Sequence, residues 1–269
     1  MRINFFNKKL IEQYLQIVSV ILAVESFVLM FVELSCLAKI LTPIISLIVY
    51  IIVYLIMYES ACRQDEREIK IGNTRIYLKF GDLFNESGNK VIACNEYFDS
   101  IVDDKLISSK TLHGKVMKEY IKDISDFDKQ LDNDIDCKNK IIERNCKRNS
   151  GKTNKYELGT CFKYKDFIFV SFTKFDEQNR AYLNLPDYMY CLSNFWNELN
   201  RTYNAENVVI PLMGSGITRR PDSSSITKQE QLEMLVNSLK YSNLSFSHDV
   251  TITIVLPENL KNEISIFKI

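Results

Sequence analysis

Apolar positions along this chain fall into two regimes. Between residues 14 and 32 the only formally charged side chain is Glu25, and between 40 and 58 there is none. Each run is 19 residues long, which at ~1.5 Å per residue matches a hydrocarbon core of roughly 30 Å. The runs predict two membrane-spanning helices, over about 14–34 and 40–58. The second has no polar face to turn toward water, which argues against a pair of soluble core helices. A cleaved signal peptide would carry a shorter apolar stretch and no second one behind it. The connection between the runs is long enough only to reverse direction, so both ends of the hairpin lie on one side. Arg2, Lys8 and Lys9 precede it, Arg63 and Arg67 follow it, and the turn holds only Lys39. This bias puts the N-terminus and everything beyond the hairpin on the cytoplasmic side of the cell inner membrane. Tyr50, Tyr54 and Tyr58 recur every four residues and so share one helix face, while Pro43 reads as a first-turn proline.

After a charged linker at 59–68 the pattern changes to short apolar runs bounded by turn residues. Strands are predicted at 74–80, 90–94, 160–164, 167–172, 207–211 and 250–256, with helices at 113–120, 187–203 and 228–241. Alternating strands and helices argue for a mixed sheet sandwiched between helices. The organisation that follows is a hairpin at 1–58, the linker, and an α/β domain at 69–269. Residues 122–155 are dense in Asp, Lys and Asn and read as an insertion, a surface helix followed by a polar loop.

Composition narrows the functions. The 34 basic and 34 acidic residues balance, so no basic stripe points to nucleic acid. Seven cysteines at irregular spacing, without a Cys-x-x-Cys pair, and only two histidines make a metal centre improbable and fit a reducing compartment. Glu25, near the middle of the first run, costs at least about 2.5–3.5 kcal/mol in a bilayer unless it is paired or protonated. It reads either as a contact between copies or a pore-lining group, or as a carboxyl bonded within the hairpin.

Candidate chemistry gathers where strands end. Pro211-Leu-Met-Gly-Ser-Gly-Ile217 follows an apolar run, and a turn of small residues exposes successive N–H groups to phosphate oxygens. Ligands of open α/β sheets collect at the carboxyl ends of strands. Phe80-Gly-Asp-Leu-Phe84 closes an earlier strand, and Asp82 is able to accept from an exocyclic amine. Asn95 ends the next run, with a carboxamide that both donates and accepts, suited to a pair of ribose hydroxyls. Thr111-Leu-His-Gly-Lys115 brings a glycine and a histidine to the opening of a helix, a further anion site. The run Cys146–Thr153 mimics the tail of a phosphate-binding P-loop, but it starts with Cys in place of Gly and follows no strand. Cys94 and His113 are a conceivable nucleophile and base, with nothing to orient the histidine.

Taken together, Gly81-Asp82, Asn95, His113-Gly114 and Gly214-Ser215-Gly216-Ile217, in this order, resemble the macro domain over roughly residues 69–258. With the hairpin added, and with Cys94–Asp99 followed by Leu112–Lys115, the chain resembles the macro-domain membrane effectors of Thoeris antiphage defence. The resemblance implies an ADP-ribose-type ligand held by Asp82, Leu83, Asn95, Leu112, His113, Gly114, Gly214, Ser215, Gly216, Ile217, Thr218 and Arg219, with no cofactor, no metal and no catalytic residue. It also implies a partner TIR-domain NADase that makes the signal from NAD, a homo-oligomer, and membrane disruption as output. Macro-domain hydrolases carry an Asn-Ala-Ala-Asn run and a glycine-rich loop. Here those stretches read Ile92-Ala-Cys-Asn95 and Ser109–Gly114. A binding protein is therefore expected, with a membrane-tethered ADP-ribosyl hydrolase as the alternative and an anchored scaffold as a third reading.

Overall fold

A computed structural model describes residues 3–176, 178–214, 226–242 and 250–269. It divides into two units, Met1–Asp65 with Ile264–Ile269, and Glu66–Glu263.

The first unit is built on two helices, α1 (Lys8–Leu29) and α2 (Cys36–Cys62), both long and apolar enough to cross a membrane and almost wholly unburied within the chain. Asn7 caps α1 by accepting from the Leu10 N–H, and Ser35 caps α2 by accepting from the Ala38 N–H. Because α2 starts at Cys36, Pro43 lies inside it rather than in its first turn. Lys39 O thereby loses its usual i+4 donor. The tyrosine face of α2 looks inward: Tyr54 OH donates to Phe5 O, Tyr58 OH to Ile3 O, and Tyr14 of α1 donates to Tyr50 O. Ser46 Oγ and Tyr50 OH both donate to the Glu25 carboxylate. Of the readings open for Glu25, this geometry is the one bonded within the hairpin. The three residues line a groove of about 530 Å³ that also takes in Ser26, Lys39 and Thr42. At the other end Phe267 joins a small core with Ile3, Leu10 and Ala61, and Lys9 Nζ donates to the main-chain oxygens of Phe267 and Ile269.

The second unit is a layered α/β fold. Its strands are β1 (Glu66–Ile71), β2 (Thr74–Phe80), β3 (Asn89–Asn95), β4 (Ile141–Glu143), β5 (Lys155–Tyr156), β6 (Cys161–Tyr164), β7 (Phe167–Phe175), β8 (Ala181–Tyr182), β9 (Val208–Pro211) and β10 (Thr251–Leu256). Its helices are α3 (Leu112–Glu119), α4 (Ile124–Asn133), α5 (Ile135–Asn139), α6 (Leu185–Thr202) and α7 (Lys228–Tyr241). The main sheet runs β1-β2-β10-β9-β3-β7-β6, with β8 paired to β7. The neighbours from β2 through β7 are parallel, while β1 and β6 close the edges antiparallel. Parallel strands covered on both faces carry buried apolar runs, as β9 and the first four residues of β7, Phe167–Val170, do.

Two expectations change here. The stretch 59–68 is not a linker, since α2 continues to Cys62 and β1 begins at Glu66. In β1 the charged residues Glu66, Glu68 and Lys70 are exposed in strict alternation with Arg67, Ile69 and Ile71, which an edge strand tolerates. Nor is 122–155 a surface appendage. Phe127, Leu131 and Cys137 are fully buried, and Phe127 meets Phe162, Tyr164 and Phe169 edge-on at 5.4, 5.3 and 4.9 Å.

This assignment sets an expected cost. Phe127→Ala destabilises the domain by about 3–5 kcal/mol in denaturant titrations, as for a large core side chain. A loss within about 0.5 kcal/mol would return this stretch to the surface.

Candidate ligand-binding site

The sheet order brings the carboxyl ends of β2, β9 and β3 to one end of the sheet, and Asp82, Gly214 and Asn95 follow or close those strands. Gly81 N–H donates to Leu256 O at 2.9 Å, fixing the exit of β2 against β10. Asp82 is exposed and caps the short 3₁₀ turn Leu83–Asn85 by accepting from the Phe84 N–H at 3.0 Å. Leu83 turns into the core, 4% exposed, so its side chain belongs to the packing. At the end of β9, Gly214 adopts φ +78°, and a Cβ there would meet the Phe172 ring at 3.2 Å. The Gly214 carbonyl accepts from Gln231 Nε2 of α7 at 3.0 Å, which ties Gly214 to that helix. Ser215, Gly216, Ile217, Thr218 and Arg219 lie outside the described residues.

Asn95 sits where the β3–β7 register shifts, with Cys94 opposite Ser171 and Asn95 opposite Thr173. Such a bulge re-aims the side chain that follows it. The Asn95 Oδ1 accepts from the Tyr97 and Asp99 N–H groups at 3.0 and 3.3 Å, and Nδ2 donates to Asp99 Oδ2 at 3.0 Å. Both lone pairs of the oxygen are thus taken. Rather than a donor and an acceptor, Asn95 has one N–H without a partner among the described residues.

The opening of α3 also differs from the expectation of an anion site. Thr111 is the N-cap, and its Oγ1 accepts the Gly114 N–H at 3.0 Å. Gly114 is required by packing, because a Cβ would collide with Ser108 O. Leu112 is partly exposed, whereas His113 is buried with Nε2 unpartnered among the described residues. Burial, aided by the Lys152 ammonium, pushes the His113 imidazole down to about 3. Burial likewise pushes the Cys94 thiol up. Both groups are neutral near pH 7, the opposite of a thiolate poised beside an imidazolium.

Residues that sequence reasoning passed over complete the site's framework. Asp99, in the turn after β3, is held by Arg148 and by the Lys152 N–H, from the run set aside as a P-loop mimic. The only sequence signal was a Gly-Lys pair preceded by an arginine, which spacing alone could not connect to Asp99. Glu96 accepts from the Phe175 N–H at 3.1 Å; burial raises its carboxyl, partly offset by this bond and by Lys155. Among the described residues no group of three or more His, Cys, Asp or Glu side chains could hold a metal.

The histidine yields a pH prediction. Its folded pKa of about 3 lies below the ordinary 6.5, so the unfolded chain takes up a proton first as the pH falls. The stability contribution of neutral His113 is intact above pH 6.5 and is lost progressively as the pH falls toward 3. His113→Gln therefore flattens the acid limb of stability against pH in denaturant titrations. An unchanged limb would mean that the imidazole is not desolvated.

The family model for the macro domain of Thoeris protein ThsA matches residues 76–257. Thoeris protein ThsA of Bacillus amyloliquefaciens (strain Y2) is 40% identical over 206 residues, covering 75% of this chain and 68% of that one. Among solved structures, an Oceanobacillus iheyensis macrodomain with ADP is 10% identical over 73% of this chain and 91% of that chain, with a TM-score of 0.45. A mutant of that macrodomain with ADPR is 10% identical over 73% of this chain and 93% of that chain, also at 0.45.

Proposed function

Because the chain belongs to the Thoeris ThsA macro-domain family, we propose that it is a membrane-anchored effector that senses an ADP-ribose-derived nucleotide second messenger and answers by disrupting the membrane in antiviral defence. The observation that carries this reading is the pairing, in one chain, of two helices apolar enough to span a bilayer with a macro domain whose Asp82, Asn95 and Gly214 stand at strand ends of one sheet. The ligand is ADP-ribose or an amino-acid conjugate of it, made from NAD by a partner TIR-domain enzyme. Asp82 takes the adenine amine, the residues Gly214–Ile217 the diphosphate and Asn95 the distal ribose, while Leu112–Gly114 and Thr218-Arg219 read a group conjugated to that ribose. The N-terminus and the macro domain face the cytoplasm of the cell inner membrane. A lone hairpin cannot enclose a polar path, because backbone and carboxyl groups in lipid must be satisfied internally. The output therefore needs several copies, whose assembly breaches the membrane and aborts infection.

The neutral, buried state of Cys94 and His113 supports a binder over a hydrolase. Calorimetric titration of the detergent-solubilised full chain tests this. The expected outcome is binding of ADP-ribose or its amino-acid conjugate, recovered intact, with an affinity at least about tenfold weaker in Asp82→Ala. Release of ribosylated product would promote the hydrolase alternative, and no binding of either compound would overturn the sensor reading.

A further inference from the structure

The Asp99 carboxylate, 1% exposed, is surrounded by donors. Arg148 Nη1 donates to Oδ1 at 3.1 Å and Nη2 to Oδ2 at 2.9 Å. The Lys152 N–H reaches Oδ1 at 2.7 Å, and Asn95 Nδ2 reaches Oδ2 at 3.0 Å. Arg148, with its side chain 6% exposed, lies over the Tyr97 ring at 3.8 Å and donates onward to Lys152 O and Asn179 Oδ1 at 2.6 and 3.0 Å. Gly151 holds φ +92°, and a Cβ there would meet Asp99 Oδ1 at 2.5 Å, so the chain at 148–152 is shaped around this carboxylate.

We propose that Asp99 and Arg148 are positioning residues for ligand recognition, acting through Asn95; this rests on the sensor reading above. An Asn carboxamide flips readily unless its neighbours tell oxygen from nitrogen. Here they do so on both sides. Two backbone N–H groups face Oδ1 and a carboxylate faces Nδ2, and the flipped form would set donors against donors and the Asn95 oxygen against Asp99. Arg148 keeps Asp99 in place by a two-pronged fork that a point charge does not reproduce. Asn95 consequently presents a single N–H of fixed direction. That position accepts only a hydrogen-bond acceptor, and the matching ligand group is a ribose hydroxyl oxygen beyond the diphosphate. Asp99 and Arg148 touch no ligand themselves; they set which atom of Asn95 the ligand meets.

Titrating the full chain in detergent with ADP-ribose and with ADP, which lacks the second ribose, separates this from a general structural role. In Asp99→Asn, and in Arg148→Lys should the former fail to fold by circular dichroism, ADP-ribose affinity falls about tenfold while ADP affinity is unchanged. Asn95→Ala has the same effect, and the Asn95→Ala/Asp99→Asn double variant is no weaker than either single one, because both remove one interaction. Additive losses, an equal loss for ADP, or ADP-ribose binding unaffected in both Asp99→Asn and Arg148→Lys would overturn the proposal. If the wild-type chain bound ADP-ribose and only these variants failed to respond, the positioning role alone would fall. If the wild-type chain bound neither nucleotide, the sensor reading and the positioning role would fall together.

Discussion

A carboxylate withdrawn from water has to have its lone pairs met by other donors, or it costs several kcal/mol to bury. Asp99 satisfies that demand from three separate stretches: the end of β3 through Asn95, the Arg148–Lys152 run directly, and Asn179 by way of Arg148. The constraint runs in both directions. Removing the carboxylate would strand a guanidinium whose side chain is 6% exposed, and losing one partner of a buried pair typically destabilises by about 3–5 kcal/mol. The turn after β3, the loop before β5 and the loop after β7 are therefore one cooperative piece, and Asn95, a buried candidate ligand contact, is attached to it.

Local patterns in the sequence show part of the molecule, and contacts between distant stretches decide the rest. The inner strands β3, β7 and β9 are readable from the short apolar runs Val91–Cys94, Phe167–Val170 and Val208–Ile210, and β2 from the alternation of buried Thr74, Ile76, Leu78 and Phe80 with less buried residues. The edge strand β1 was hidden by its own exposure: Glu66, Glu68 and Lys70 look like a solvated linker until β2 is seen hydrogen-bonded beside them. The 122–155 stretch misled for a related reason. Its charges cover the outside of α4 and α5, while Phe127, Leu131 and Cys137 form a sparse apolar stripe that reads as a surface helix without its tertiary partners. The strand-end positions of Asp82, Asn95 and Gly214 are legible because turn chemistry is local. The role of Arg148 is not, since it meets Asp99 49 positions away in sequence. His113 was correctly placed at a helix opening, but its burial against Phe169 depends on the sheet and is not written in Leu112–Lys115.

The two long apolar helices obey the same rule of satisfied polar groups. Glu25 is met by hydroxyls of Ser46 and Tyr50 from the other helix, and Tyr54 and Tyr58 spend theirs on main-chain oxygens of the N-terminal segment. Polar contacts thus face inward along one seam, while large apolar residues such as Leu22, Phe27, Ile44, Ile48 and Ile52 stay exposed. Under the proposed function, a breach of the membrane would need that seam to be shared between copies, which links the proposed output to assembly and assembly to ligand.

Release of a trapped dye from liposomes carrying the full-length protein, followed on addition of ADP-ribose or its amino-acid conjugate, tests that linkage most directly. The account predicts vesicles that stay sealed until the nucleotide is added and then leak. Leakage independent of nucleotide, or vesicles that remain sealed while the protein binds its ligand, would contradict it.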